Sequence, residues 1–231
     1  ALCNLLRCRS RPHVEVDARK DRVMLPNLLA DFSQVKVMAG KLNAAATTGA
    51  CHNFSLHWIS LLYKDKGSTD EKLAIARMKE LAAKKGEANP ILQKIFGEVW
   101  TQESVENADK LMIALRGMKP SKEVGIPYSP YDQAKLVALL KAPKAAGMVY
   151  SFWFPGAIAG AQGAHSIAFF RNVEGKKGKM VPMDQNVLAF DPNFGECHIA
   201  EANLGKWLDA LKKIYSGAIN QQWLKYIEPN K

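Results

Sequence analysis

Thr47-Thr48-Gly49-Ala50 runs directly into Cys51-His52-Asn53-Phe54-Ser55-Leu56-His57-Trp58-Ile59-Ser60-Leu61-Leu62-Tyr63. Positions 51, 54/55, 58 and 61/62 of the second stretch repeat at helical spacing, which predicts a buried helix with Cys51 in its first turn. The N–H groups of a first turn lack partners within the helix and carry the positive end of its dipole. Both favour a thiolate over a thiol there. A free cysteine is otherwise most often a small core hydrophobe, and two later segments weigh against that reading.

Gly163-Ala164-His165-Ser166-Ile167-Ala168-Phe169-Phe170-Arg171 places His165 at the start of a short β-type run. Ala189-Phe190-Asp191-Pro192-Asn193-Phe194-Gly195-Glu196 puts Asp191 at the end of another, with Pro192 halting the strand and Gly195 closing a turn. A hairpin of these two runs can set an imidazole beside a carboxylate, across the start of the Cys51 helix. Cysteine, histidine and aspartate in this order suit a thiol nucleophile, its base and the group that orients the base. His198 is the alternative base, and Asp184 or Asn193 the alternative orienter. His52 and His57 point away from the sulfur on its own helix and read as surface or packing histidines.

Around these blocks the chain divides by character. Residues 1–24 are basic and without periodicity, an N-terminal arm carrying Arg7, Arg9, Arg11, Arg19, Lys20 and Arg22; residues 25–231 form the catalytic domain. Asn27 to Lys41 predicts a short helix or a helix plus a strand. Ser68-Thr69-Asp70-Glu71 has the spacing of a capping box before a helix. Further helices are expected after Pro90, from Ser104 to Gly117, and from Ser129-Pro130 onward, with a loop from Met118 to Pro127. Beyond Pro143 the pattern turns to strands at 148–154, after Gly163 and at 187–190, then an amphipathic helix through Trp207 and Tyr215 and a last strand near 221–227. Helices first and strands second predict an α+β fold, a helical N-terminal half packed on an antiparallel sheet with the site at the seam.

The chain has 231 residues and a formal net charge of +10. Such a charge suits an anionic membrane surface or an acidic protein partner, the basic arm being the natural contact, or simply a solvated basic surface. Nucleic acid is not expected, since no zinc-finger spacing, RNA-binding signature or phosphate loop accompanies the charge. Four cysteines in a chain this long do not make a disulfide framework. Cys3, Cys8 and the Cys197-His198 pair lack the second ligand pair of a zinc site, so no metal and no cofactor are expected. No apolar stretch approaches the roughly 18 residues of a membrane span. A start at Ala1 reads as the end of a processed product or an excised piece.

Gly49-Ala50-Cys51 opening an apolar helix, Ala164-His165 opening a strand, and Phe190-Asp191-Pro192-Asn193-Phe194-Gly195-Glu196 together resemble the YopT/AvrPphB family of bacterial effector cysteine proteases. The resemblance runs from about residue 40 to 215 and is carried by these three blocks. It implies a papain-like fold, secretion into a host cell, and cleavage of host proteins in the cytoplasm or at a membrane; a monomer is expected. Small GTPases and kinases are the substrate classes it suggests. It also implies Cys51 as nucleophile, His165 as general base and acid, and Asp191 as orienting carboxylate. Two departures stand out. No amide stands a few residues before the nucleophile, where one usually helps form the oxyanion hole: either Asn43, eight positions upstream, reaches back through a loop, or the hole relies on the Cys51 N–H and another donor; and Glu174 to Gln185 reads as an insertion. An amidase, including a peptidoglycan amidase, a deamidase or an acyltransferase would use the same triad. A membrane- or protein-binding module would instead keep Cys51 inert.

Overall fold

The computed structural model describes residues 25–39, 50–83, 88–156, 162–176 and 179–230. The basic arm at 1–24 and Asn43 lie outside the described residues. In chain order the elements are β1 (Leu28–Asp31), α1 (Gln34–Met38), α2 (Cys51–Lys64), α3 (Glu71–Ala82), α4 (Ala88–Gln102), α5 (Val105–Leu115), β2 (Met118–Pro120) and β3 (Ile126–Pro130). There follow α6 (Gln133–Lys141), β4 (Gly147–Pro155), β5 (Gln162–Phe170), β6 (Val173–Lys176), β7 (Lys179–Pro182), β8 (Asn186–Asp191), β9 (Gly195–Ala200), α7 (Leu204–Ile214) and β10 (Gln221–Pro229).

One antiparallel sheet runs β1-β9-β8-β5-β4-β10-β2, with β3 also paired to β10, while β6 and β7 form a separate hairpin. Alternation along the strands splits the apolar residues between two layers. Val149, Ala168, Phe170, Leu188 and Phe190 face α2 to α5. Tyr150, Phe152, Ile167, Phe169, Val187 and Ala189 face α6 and α7, where Trp207 and Leu211 fill the space. The expected sheet and helical half are present, and helices cover both faces of the sheet.

Helix α2 is buried all round, every residue from His52 to Leu62 lying inside. Its apolar stripe meets the sheet, and its polar side chains reach groups on neighbouring elements. Ser55 Oγ donates to the Ser166 carbonyl at 3.1 Å, and Asn53 Nδ2 donates to Gln93 at 3.1 Å. His52 lies 2.9 Å from Asp109, and His57 Nδ1 lies 3.1 Å from the Asn89 amide. Both histidines are therefore packing groups rather than surface ones, because α4 and α5 cover that face. On the far side Glu196 joins three elements. It accepts from Trp58 Nε1 at 2.7 Å and from Arg77 at 2.9 and 2.5 Å, with Arg77 also bound to Asp65. The glutamate that ends the Asp-Pro-Asn-Phe-Gly-Glu block is thus a buried tie between β9, α2 and α3.

Several boundaries differ from expectation. The cap of α3 is Asp70, whose carboxylate accepts from the Lys72 and Leu73 N–H groups, in place of a Ser–Glu box. Helix α6 is capped by Asp132, and Ser129-Pro130 belongs to β3, held there by pairing with Gln221 and Gln222. The region from Met118 to Pro127 holds strand β2 and the start of β3, and the expected insertion contains the β6–β7 hairpin. Cys197-His198 sits within β9, Cys197 opposite Ala189 and buried in the core.

Candidate active site

The site forms where α2 begins and two strands part. Strands β5 and β8 pair only over Ala168–Phe170 and Leu188–Phe190, so their ladder stops one residue short of Asp191 and three short of His165. The imidazole and carboxylate meet diagonally in the gap that follows, His165 Nε2 lying 2.9 Å from Asp191 Oδ1. With Nε2 engaged, Nδ1 is the ring nitrogen left for the sulfur, and the Cys51 and His165 side chains hydrogen-bond to each other. His165 is 5 % exposed and Asp191 fully buried, while Cys51 keeps partial access to solvent. The structure thus brings together all three residues singled out in the sequence. His198 lies on β9 opposite Leu188, Asp184 caps the turn before β8, and neither takes the place of His165 or Asp191 in this pair.

Two features make an ion pair favourable here. Burial pushes the Cys51 thiol up, but the adjacent imidazole and the Ser166 and His52 N–H groups outweigh it and hold the thiol below its ordinary value. Burial pulls His165 down, yet the charges and hydrogen bonds of Asp191 and Cys51 raise it to about 10. Both shifts favour thiolate beside imidazolium. Cys197, by contrast, is pushed up to about 12 by burial and packs as a core thiol. The first bond within α2 is from Phe54 N–H to the Ala50 carbonyl, so the Cys51 N–H at the helix head has no acceptor in its own helix.

Asp191 is held by more than the imidazole. The Asn193 N–H donates to Oδ1 at 2.9 Å, and the Tyr215 hydroxyl donates to Oδ2 at 2.9 Å and Oδ1 at 3.1 Å. The Tyr215 ring lies on the imidazole, centroids 4.8 Å apart and planes 26° apart, with Phe152 and Phe154 packed against the tyrosine. The turn after Asp191 is clamped from outside, since Phe32 N–H donates to the Phe194 carbonyl and Gln34 N–H to the Pro192 carbonyl. Gly195 closes it at φ +121°, where a Cβ would stand 2.0 Å from the Ala30 carbonyl oxygen. Tyr215 and Gln34 escaped the sequence reading. Tyr215 continues the apolar stripe of α7 just past its end, as the C-cap, and Gln34 precedes Cys51 by too long a stretch for any local pattern to link them.

No known family model matches the chain, and no curated protein matches it in sequence. Among solved structures it is similar to the crystal structure of the Pseudomonas avirulence protein AvrPphB. The TM-score is 0.52 and the identity 16 %, over 79 % of this chain and 94 % of that one. At such an identity the likeness concerns the backbone, and what it shows is the fold: an α+β, papain-like arrangement of helices on an antiparallel sheet.

Proposed function

We propose that this chain is a cysteine protease of the effector type, hydrolysing peptide bonds in proteins of a host cell. The observation that carries the reading is the Cys51–His165–Asp191 constellation, a half-buried cysteine at a helix head beside a buried imidazole–carboxylate pair. The Cys51 thiolate attacks the scissile carbonyl carbon, and the electron pair moves to the carbonyl oxygen. That oxygen lies toward the helix head, where the Cys51 N–H offers a donor. Collapse of the adduct breaks the C–N bond, and the His165 imidazolium gives its proton to the leaving amine. His165, now neutral, takes a proton from water, whose oxygen attacks the thioester and frees the sulfur. Asp191 keeps the ring in line and stabilises its charged form.

The resemblance in the three sequence blocks and the backbone likeness to AvrPphB support the effector reading. On that reading the chain is secreted, works as a monomer in the host cytoplasm, and takes a host small GTPase or kinase as substrate. The arm at 1–24 adds contact with an anionic membrane. Incubating the chain and its Cys51→Ala variant with host lysate and sequencing new protein N-termini tests this. New termini that vanish in the variant are expected. Mass gains of about one dalton without cleavage would make the chain a deamidase instead, and identical products from both chains would refute a thiol enzyme.

A further inference from the structure

Asp191 is the last station of a longer path. The Ala50 N–H donates to Gln34 Oε1 at 2.9 Å, and Gln34 Nε2 donates to Asn193 Oδ1 at 2.7 Å. Asn193 Nδ2 then donates to the Tyr215 oxygen at 2.9 Å, and the Tyr215 hydroxyl to the Asp191 carboxylate. The direction is forced from both ends. A backbone N–H can only donate, so Gln34 must offer Ala50 its oxygen and Asn193 its nitrogen. Asn193 in turn must accept from Gln34 and donate to Tyr215. At the other end a carboxylate can only accept, so the single tyrosine proton is committed to Asp191. Gln34 and Tyr215 are themselves buried. Bonds that all point one way polarise one another, each making the next donor stronger.

We propose that Gln34, Asn193 and Tyr215 are positioning residues that act as one unit. The unit runs from the residue before the nucleophile to the carboxylate behind the base, and it fixes the orientation of Asp191 and the distance between the two halves of the site. It draws on α1, the β8–β9 turn and the end of α7, and closes a ring through Ala50, Cys51, His165 and Asp191. This rests on the thiol-enzyme reading, to which it adds three residues behind the nucleophile and its base.

The consequence is electrostatic as well as geometric. Oδ1 of Asp191 accepts from His165, Asn193 and Tyr215, whereas Oδ2 accepts from Tyr215. Losing the tyrosine hydroxyl strips Oδ2 of that donor in a buried place, so the carboxylate is held less firmly and the imidazole bonded to it is freer to turn from the sulfur. An imidazole set less squarely against Cys51 stabilises the thiolate less. The acid limb of Cys51 reactivity therefore moves upward.

The test is the rate of Cys51 alkylation by iodoacetamide against pH, followed by peptide mass mapping on the full chain. It needs no substrate. The unsubstituted chain must alkylate Cys51 near pH 6 far faster than Cys197; equal rates would remove the thiol-enzyme reading itself. Given that, Tyr215→Phe raises the acid midpoint by about one pH unit. Gln34→Glu, which keeps the bond to Ala50 but can no longer donate to Asn193, moves it the same way. Tyr63→Phe, which loses a hydroxyl at the far end of α2, leaves it in place. The double variant Tyr215→Phe/Gln34→Glu shifts the midpoint by less than the sum of the singles, because either break interrupts the same path. Strictly additive shifts, or an unmoved midpoint in folded Tyr215→Phe, would overturn the proposal. Should Tyr215→Phe fail to fold, an unmoved midpoint in Gln34→Glu overturns it equally.

Discussion

Replacing Glu196 by alanine should nearly unfold the protein. The carboxylate is fully buried and accepts from Arg77 through Nε and Nη2 and from the Trp58 indole. Arg77 is 3 % exposed and would keep Asp65 as an acidic partner. Removing one member of a buried ion pair costs about 3–5 kcal/mol, because the other charge stays behind. Leaving the indole N–H without its acceptor adds about 1–3 kcal/mol. The sum, about 4–8 kcal/mol, is comparable with the whole stability of an ordinary domain, about 5–15 kcal/mol. At about 2–4 °C per kcal/mol for a chain of this size, Tm falls by about 10–30 °C. Urea and thermal unfolding of Glu196→Ala in a Cys51→Ala background read this directly. The pair Glu196→Leu/Arg77→Met removes both charges and should be more stable than Glu196→Ala alone. A loss under about 1 kcal/mol for Glu196→Ala, or a double variant less stable than the single one, would refute the reasoning.

Asp109 gives a pH-dependent case. Burial pushes its carboxyl up, but the hydrogen bond and charge of His52, with Lys225, hold it below the ordinary 3.8. A depressed folded value means stability that is present above 3.8 and lost as pH falls through the folded value. Asp109→Asn should therefore cost about 1.5–3 kcal/mol at neutral pH, with the gap to the unsubstituted chain narrowing below pH 3.8; a gap constant into strong acid would contradict this. Gly195→Ala should destabilise by about 2–4 kcal/mol through its positive φ and the collision with Ala30. Unchanged stability and unchanged Cys51 alkylation in that variant would show that the clamp on the Asp191 turn is dispensable.

The elements legible in the sequence are those whose signal is local. The run from Cys51 to Tyr63, the aromatic strand around Trp153, and the Pro192-to-Gly195 turn each state their structure within a few residues, and α2, β4 and the β8–β9 turn fall where expected. Ser129-Pro130 and Asp132 show the limit. Both are sound helix starts by local chemistry, and only the pairing of β3 with β10, from the far end of the chain, selects the second. Cys51 and Asp191 were legible because each stands at an element's end with its own punctuation, whereas His165 lies inside β5, three residues beyond its start, and was legible from the apolar run that follows it. Their supports were not. Gln34 and Tyr215 are ordinary residues of a short helix and an amphipathic one until the fold brings them to the same turn.

The burial of α2 has a consequence for how the molecule moves. A cylinder wedged on every side, with its polar groups latched to neighbours on several elements, cannot swivel or slide unless much of the interior comes apart with it. Amide protons from Phe54 onward should then exchange only when the interior opens, and the sulfur stands at the head of that buried helix. Any adjustment around the sulfur must then come from elements other than α2.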